Sequence, residues 1–128
     1  MVLLAQCIGA LLGLFAIVIG AFGAHALKKS FTPDQMASFE TGIKYQMYHA
    51  LTLLMISFNL NLDTALEKYM VYCFVIGTFL FSFSIYALCI SASKGKKLKF
   101  LGPITPIGGL FLVAGWVLLL YFFIKNLV

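Results

Sequence analysis

Two imidazoles, His25 and His49, are the only ionisable groups other than tyrosines and cysteines within the long apolar stretches of this 128-residue chain. Polar groups at membrane depth are costly, which makes them functional suspects. His25 lies three residues before Lys28 and His49 five after Lys44. At helical rise those offsets are about 4.5 and 7 Å, so the spacing predicts two histidines near the cytoplasmic membrane boundary, at similar height on consecutive helices, able to meet. Tyr45, Gln46 and His49 share one helical face through i,i+3 and i,i+4 spacing, with Gly42 one turn earlier. Such a cluster can bind a small polar ligand, relay protons or hold a metal. The plainer reading is that the imidazole and phenol hydrogen-bond carbonyls and brace two helices. His25, Tyr45, Gln46 and His49 are therefore the candidate polar site. No metal site is assigned, because two histidines without neighbouring carboxylates or thiolates make a thin ligand set. No cofactor is expected; haem held between His25 and His49 is the one cofactor reading left open.

Soluble-enzyme motifs do not survive inspection. Ser93-Lys94-Gly95-Lys96 lacks the upstream glycine of a phosphate loop. Asp34 and Glu40 are expected on an exposed cytoplasmic turn and Asp63 with Glu67 at a helix start, and neither pair suggests acid/base work. Cys7, Cys73 and Cys89 all lie in apolar runs, an odd set that argues against a disulfide framework.

The elements that must position these residues follow from where the charges are. Hydrophobic residues make up 62% of the chain and charged residues 10%, far from the balance of a water-soluble domain. Residues 1–27, 45–62, 69–93 and 100–124 contain no Lys, Arg, Asp or Glu. A membrane-spanning helix needs roughly 20 apolar residues. The expected fold is thus an all-α membrane protein, a single integral membrane domain over residues 1–128. Four transmembrane helices, at about 2–26, 43–62, 67–92 and 104–125, are expected to form a compact bundle. The first run has no lysine ahead of it and is longer than a signal-peptide core, so a retained helix is expected there.

Helix starts are well marked. Thr32-Pro33-Asp34-Gln35 reads as an N-cap, a first-turn proline, an acid suited to the helix dipole and a capping-box glutamine. A helix from Pro33 through residue 62 would be about 45 Å long. Its first two turns, with Met36, Phe39 and Ile43, are therefore expected to form an interfacial helical segment leading into the second span. Thr64-Ala65-Leu66-Glu67 repeats the capping-box logic. Before the fourth span, Pro103, Thr105, Pro106, Gly108 and Gly109 crowd helix breakers into an apolar run. A non-helical entry over 101–105 is expected, with the regular helix starting at Pro106 under a Thr105 cap.

Packing signals are of one kind. Gln6, Gly9, Gly13, Ala16, Gly20 and Gly23 recur at spacings of 3 and 4, a small-residue seam on one face. Gly108 and Gly115 form a shorter version on the fourth helix, and Thr78, Ser82, Tyr86, Cys89 and Ser93 a polar stripe on the third. In lipid, helices associate through close backbone approach at such seams, within one chain or between copies.

The net charge is +5, from nine lysines, no arginine and four acids. Those lysines sit beside apolar runs, so anionic lipid head groups are the expected partners and nucleic acid is not. Lys94, Lys96, Lys97 and Lys99 are the candidate head-group contacts. With four spans, loops 28–44 and 94–99 carry seven lysines on one side, against Lys68 and Lys125 on the other. The positive-inside rule then puts those two loops in the cytoplasm and both termini outside.

Gly20-Ala21-Phe22-Gly23-Ala24-His25-Ala26-Leu27, Phe39-Glu40-Thr41-Gly42 and Tyr45-Gln46-Met47-Tyr48-His49-Ala50-Leu51 carry a resemblance. With Leu101-Gly102-Pro103-Ile104-Thr105-Pro106-Ile107-Gly108-Gly109 through Gly115-Trp116, they resemble the family of small bacterial membrane proteins called domain of unknown function 423, or uncharacterised membrane protein family 0382. The resemblance covers nearly the whole chain and implies a multi-pass protein of a bacterial cell membrane. It implies no enzyme activity. Phe83 stands where the family pattern leads one to expect glycine, which puts close packing at that point of the third helix in question.

Together these readings favour a non-enzymatic membrane component that binds lipid or assembles with itself or other membrane proteins. A small transporter or channel-like carrier, using the histidine cluster and the broken fourth helix, is the alternative; a haem or quinone protein is the third. The orientation is directly testable. A reporter that matures only outside the cytoplasm should be active when fused after Val128 and silent when inserted between Lys94 and Lys99. The opposite pattern would overturn the lysine-based topology.

Overall fold

A computed structural model describes residues 1–127, the side chain of Ala24 aside. Four helices follow one another with no strand among the described residues: α1 (Val2–Leu27), α2 (Pro33–Asn59), α3 (Ala65–Ser93) and α4 (Ile104–Leu127). Helices α1 and α3 each contain one π turn, at Ile19–Gly23 and Phe79–Phe83. By length and composition α1, α3 and the segment Lys99–Leu127 are apolar enough to cross a membrane. Helix α2 is long enough but carries Gln46, His49, Thr52 and Ser57, all buried against its neighbours.

Both capping boxes form. The Thr32 hydroxyl accepts from the Gln35 amide at 3.2 Å while Gln35 Oε1 accepts from the Thr32 amide at 3.0 Å. Thr64 and Glu67 repeat the exchange at 3.3 and 2.9 Å, and Glu67 also accepts from the Thr64 hydroxyl at 2.7 Å. These bonds satisfy amides that a helix start leaves without partners.

Two boundaries differ from the sequence reading. Helix α2 stops at Asn59 rather than 62, because Leu60 is extended and Leu62 turns into the left-handed region at φ 56°. That conformation is unfavourable for a residue with a Cβ; the fully buried Leu62 side chain offsets it by plugging the end of the core. The entry to α4 is also more helical than expected. Lys99–Leu101 form a 3-10 turn and α4 begins at Ile104, with the Ile107 amide bonded to the Pro103 carbonyl. Pro106 is tolerated because first-turn amides have no intrahelical acceptor to lose. Thr105 lies inside the helix and its hydroxyl meets Ser84 Oγ at 2.7 Å instead of capping.

The helices alternate in direction, and the small-residue seams are spent inside the chain. Gly9 and Gly13 pack on Ala50, Gly20 on Ile43 and Gly23 on the Phe39 ring, while Ala16 is buried. On the other side Gly77 receives Leu112, Gly108 lies against the Leu80–Phe81 backbone and Gly115 against the Phe74 ring. So α1 packs on α2 and α4 on α3, and the two pairs join across α2 and α3. The flanking helices α1 and α4 have no substantial contact with each other. The arrangement is therefore more open than a square bundle. Phe39 is buried at the start of α2, with Met36 and Ile43 packed beside it, so these turns face protein. Phe83 stacks on Phe79 at 5.0 Å. The two rings border a wholly apolar groove of 460 Å³ with Ile8, Leu11, Leu12 and Phe15.

The tightest approach makes a sharp contrast available. A Cβ at Gly108 would lie within 2.8 Å of the Leu80 and Phe81 backbone, whereas one at Gly13 would sit 3.8 Å from the Ala50 methyl. Gly108→Ala should destabilise the protein by about 1–3 kcal/mol, the usual range for overpacking, and Gly13→Ala should be near neutral. Thermal unfolding in mild detergent checks both; equal effects would contradict this packing.

Candidate functional site

Gln46 is fully buried on α2 and engages both neighbouring helices. Its Nε2 donates to the Leu12 carbonyl of α1 at 2.8 Å, and its Oε1 accepts from the Tyr86 hydroxyl of α3 at 2.8 Å. Four residues earlier the Gly42 carbonyl accepts from Ser82 Oγ at 2.7 Å, inside the π turn of α3. Gly42 is needed there: a Cβ would come within 2.7 Å of the Tyr86 ring. One turn further on, His49 reaches α4. Its Nδ1 lies 2.7 Å from the Tyr45 carbonyl, and its Nε2 lies 3.2 Å from the Trp116 indole nitrogen.

These partners assign the histidine tautomer. A carbonyl only accepts and an indole N–H only donates. Nδ1 therefore carries the proton and Nε2 the lone pair, and the ring is neutral with both nitrogens engaged. Phe74 and Trp116 close around it, at 5.7 and 6.3 Å between ring centroids. Every buried side-chain polar atom among the described residues has a partner.

The predicted cluster divides. Gln46 and His49 point inward, while Tyr45 is 40% exposed with its ring on Phe81 at 4.7 Å. His25 is exposed near the end of α1, and the structure does not bring it to His49. Lys44 lies well inside α2, which already runs beside α1 from Phe39, where that ring faces Gly23. His49 packs level with Gly13 and Phe74, about 24 Å from the start of α2 at helical rise. It sits in the middle of the bundle. The two imidazoles are therefore not a ligand pair in this fold. Lys94, Lys96, Lys97 and Lys99 are exposed in the α3–α4 connection. Pro103, Thr105, Pro106, Gly108 and Gly109 serve the entry and packing of α4 rather than an unwound path.

Two partners in this network, Trp116 and the Leu12 carbonyl, are not among the candidate site residues. The stripe holding Ser82 and Tyr86 was visible at helical spacing, but its target on α2 was not. Trp116 is the single tryptophan of the chain, and its lone N–H donor was the available signal.

Residues 19–109 match the family model described as "Protein of unknown function (DUF423)". The chain belongs to the DUF423 family. It is 35% identical over 112 residues to the UPF0382 inner membrane protein YgdD of Escherichia coli (strain K12), covering 87% of this chain and 82% of that protein. A UPF0382 membrane protein of Haemophilus influenzae is 35% identical over 112 residues, with 88% and 86% covered. One from Schizosaccharomyces pombe is 34% identical over 114 residues, with 88% and 95% covered. No solved structure matches the chain. The matched DUF423 segment contains Gln46, His49, Ser82 and Tyr86 and stops before Trp116.

In this DUF423 chain Gln46 and Tyr86 should act as a coupled pair. Gln46→Leu leaves the buried phenol unsatisfied, at about 1–3 kcal/mol. Adding Tyr86→Phe should recover part of that loss. A double-mutant cycle on unfolding in detergent should give a coupling of roughly 0.6–1.7 kcal/mol; strict additivity would mean the bond is not formed.

Proposed function

We propose that this DUF423 protein is a non-enzymatic, four-span membrane component that binds anionic lipid at its lysine-bearing end and organises its surroundings. The observation that carries the reading is the contrast between interior and rim. Inside, Gln46, His49, Ser82 and Tyr86 all have intramolecular partners, which leaves them bracing helices rather than awaiting a ligand. At the rim, Lys94, Lys96, Lys97 and Lys99 are exposed and close to apolar surface. Lysines so placed attract acidic head groups, each worth about 1 kcal/mol near a charged leaflet.

Helix α2 is the second of the four spans in this reading. Its polar residues lower its hydropathy but face protein, so lipid meets Tyr48, Leu51, Met55 and Phe58, all exposed. The alternating helices put the connections 28–32 and 94–103 at one end. Positive-inside bias supports a cytoplasmic location for that end in a cell membrane, with both termini outside. The names of the relatives, membrane and inner membrane proteins, agree with a membrane location.

Replacing Lys94, Lys96, Lys97 and Lys99 together by Gln should reduce co-purification of phosphatidylglycerol while leaving unfolding in detergent unchanged. Native mass spectrometry measures both bound lipid and subunit count. Undiminished retention of the anionic lipid would reject the reading.

A further inference from the structure

A groove of 470 Å³ opens at the lysine-bearing end, between the first turns of α2, the last turns of α3 and the start of α4. Its volume falls in the range of small-molecule sites, about 300–1,000 Å³. Ile85, Leu88 and Cys89 form an apolar floor, and Asp34, Ser38 and Lys97 stand on its polar margin. Cys89 Sγ and the Gln35 carbonyl meet at 3.5 Å, which ties α3 to α2 at the base. Asp34, Ser38 and Lys97 have no hydrogen-bond or ion-pair partner among the described residues. One cavity thus presents an unpaired carboxylate, an unpaired ammonium and a free hydroxyl above an apolar surface.

We propose that this groove holds the head group of a zwitterionic aminophospholipid, phosphatidylethanolamine in kind. The proposal rests on the lipid-binding reading above and names the lipid. Lys97 suits the phosphate as a point charge. Asp34 and Ser38 suit the primary ammonium, whose three N–H donors need acceptors. The floor suits the upper acyl chains, which a water-soluble phosphoethanolamine lacks. Two competing head groups fit less well. A quaternary ammonium cannot donate hydrogen bonds and is held by aromatic faces, and no aromatic ring lines this groove. Phosphatidylglycerol brings the same phosphate to Lys97 but only neutral hydroxyls to Asp34, which leaves the carboxylate without an opposite charge.

The test is lipid competition on the intact protein in mild detergent, read by native mass spectrometry. Equimolar phosphatidylethanolamine, phosphatidylcholine and phosphatidylglycerol are supplied. Phosphatidylethanolamine should be retained over phosphatidylcholine by about tenfold, the worth of one charge-assisted hydrogen bond. Asp34→Asn should erase that preference, and Ser38→Ala should reduce it. Lys94→Gln, Lys96→Gln and Lys99→Gln combined, with Lys97 kept, should lower phosphatidylglycerol retention and leave the preference intact. Equal retention of phosphatidylethanolamine and phosphatidylcholine, with phosphatidylglycerol still bound, overturns the groove assignment and leaves the broader lipid reading standing. Failure to retain any of the three overturns both. Displacement by soluble glycerophosphoethanolamine at matched concentration overturns the assignment to a lipid.

Discussion

A polar group inside an apolar bundle has no water to turn to, so every one must find its partner within the chain. Gln46 meets that constraint in the most economical way available. Its amide has one donor face and one acceptor, and it uses the first on α1 and the second on α3. The bond to the Leu12 carbonyl sets how α1 slides along α2, and the bond from Tyr86 sets how α3 does. The glycines follow from this register. Gly9 and Gly13 permit α1 to come close enough for its carbonyl to be reached, and Gly42 makes room for the Tyr86 ring. His49 extends the same line to α4 through Trp116. Helix α2 is thus the shared wall of the structure, which is why it is the least apolar of the four.

That dual role explains what could and could not be read from residues alone. The capping boxes at Thr32 and Thr64 are local, with donor and acceptor three residues apart, and they were visible at once. The seam from Gly9 to Gly23 was visible too, since helical spacing makes a face without reference to any partner. Depth was not. Distance from Lys44 gives the depth of His49 only if that lysine marks the membrane boundary. Lys44 is instead exposed on the flank of an established helix, where a long side chain carries its charge outward while its stem lies on apolar surface. Heights on paired helices are set by which residues touch, here Gly23 with Phe39 and Gly13 with Ala50. No single-helix count contains that pairing.

The start of α4 shows a different limit. Pro103, Pro106 and three nearby glycines look like broken backbone when read one residue at a time. Two of those residues serve other ends. Pro106 falls where a helix has no intrahelical acceptor for the missing amide, and Gly108 is spent on contact with the Leu80–Phe81 backbone. The π turn in α3 lies at this crossing. An inserted residue in a helix turns later side chains relative to earlier ones, so the turn aims Ser82 at α2 while Ser84 reaches Thr105 on α4.

The family match begins at Ile19 and ends at Gly109, and therefore cuts the central network in two places. The two cuts differ in chemical meaning. Leu12 contributes a main-chain carbonyl, which any residue in the same helical position would supply, so its side chain has no part in the bond to Gln46. Trp116 contributes an indole N–H, a donor without acceptor character that suits the Nε2 lone pair of a neutral imidazole. A phenol in its place could also donate, but it would need a different reach; an aliphatic residue would leave that nitrogen unpaired in an apolar setting. The α1 side of the network is thus carried by backbone geometry and small-residue packing. Its α4 side is carried by one particular side chain, and the identity of residue 116 is where the structure demands most of the sequence outside the matched segment.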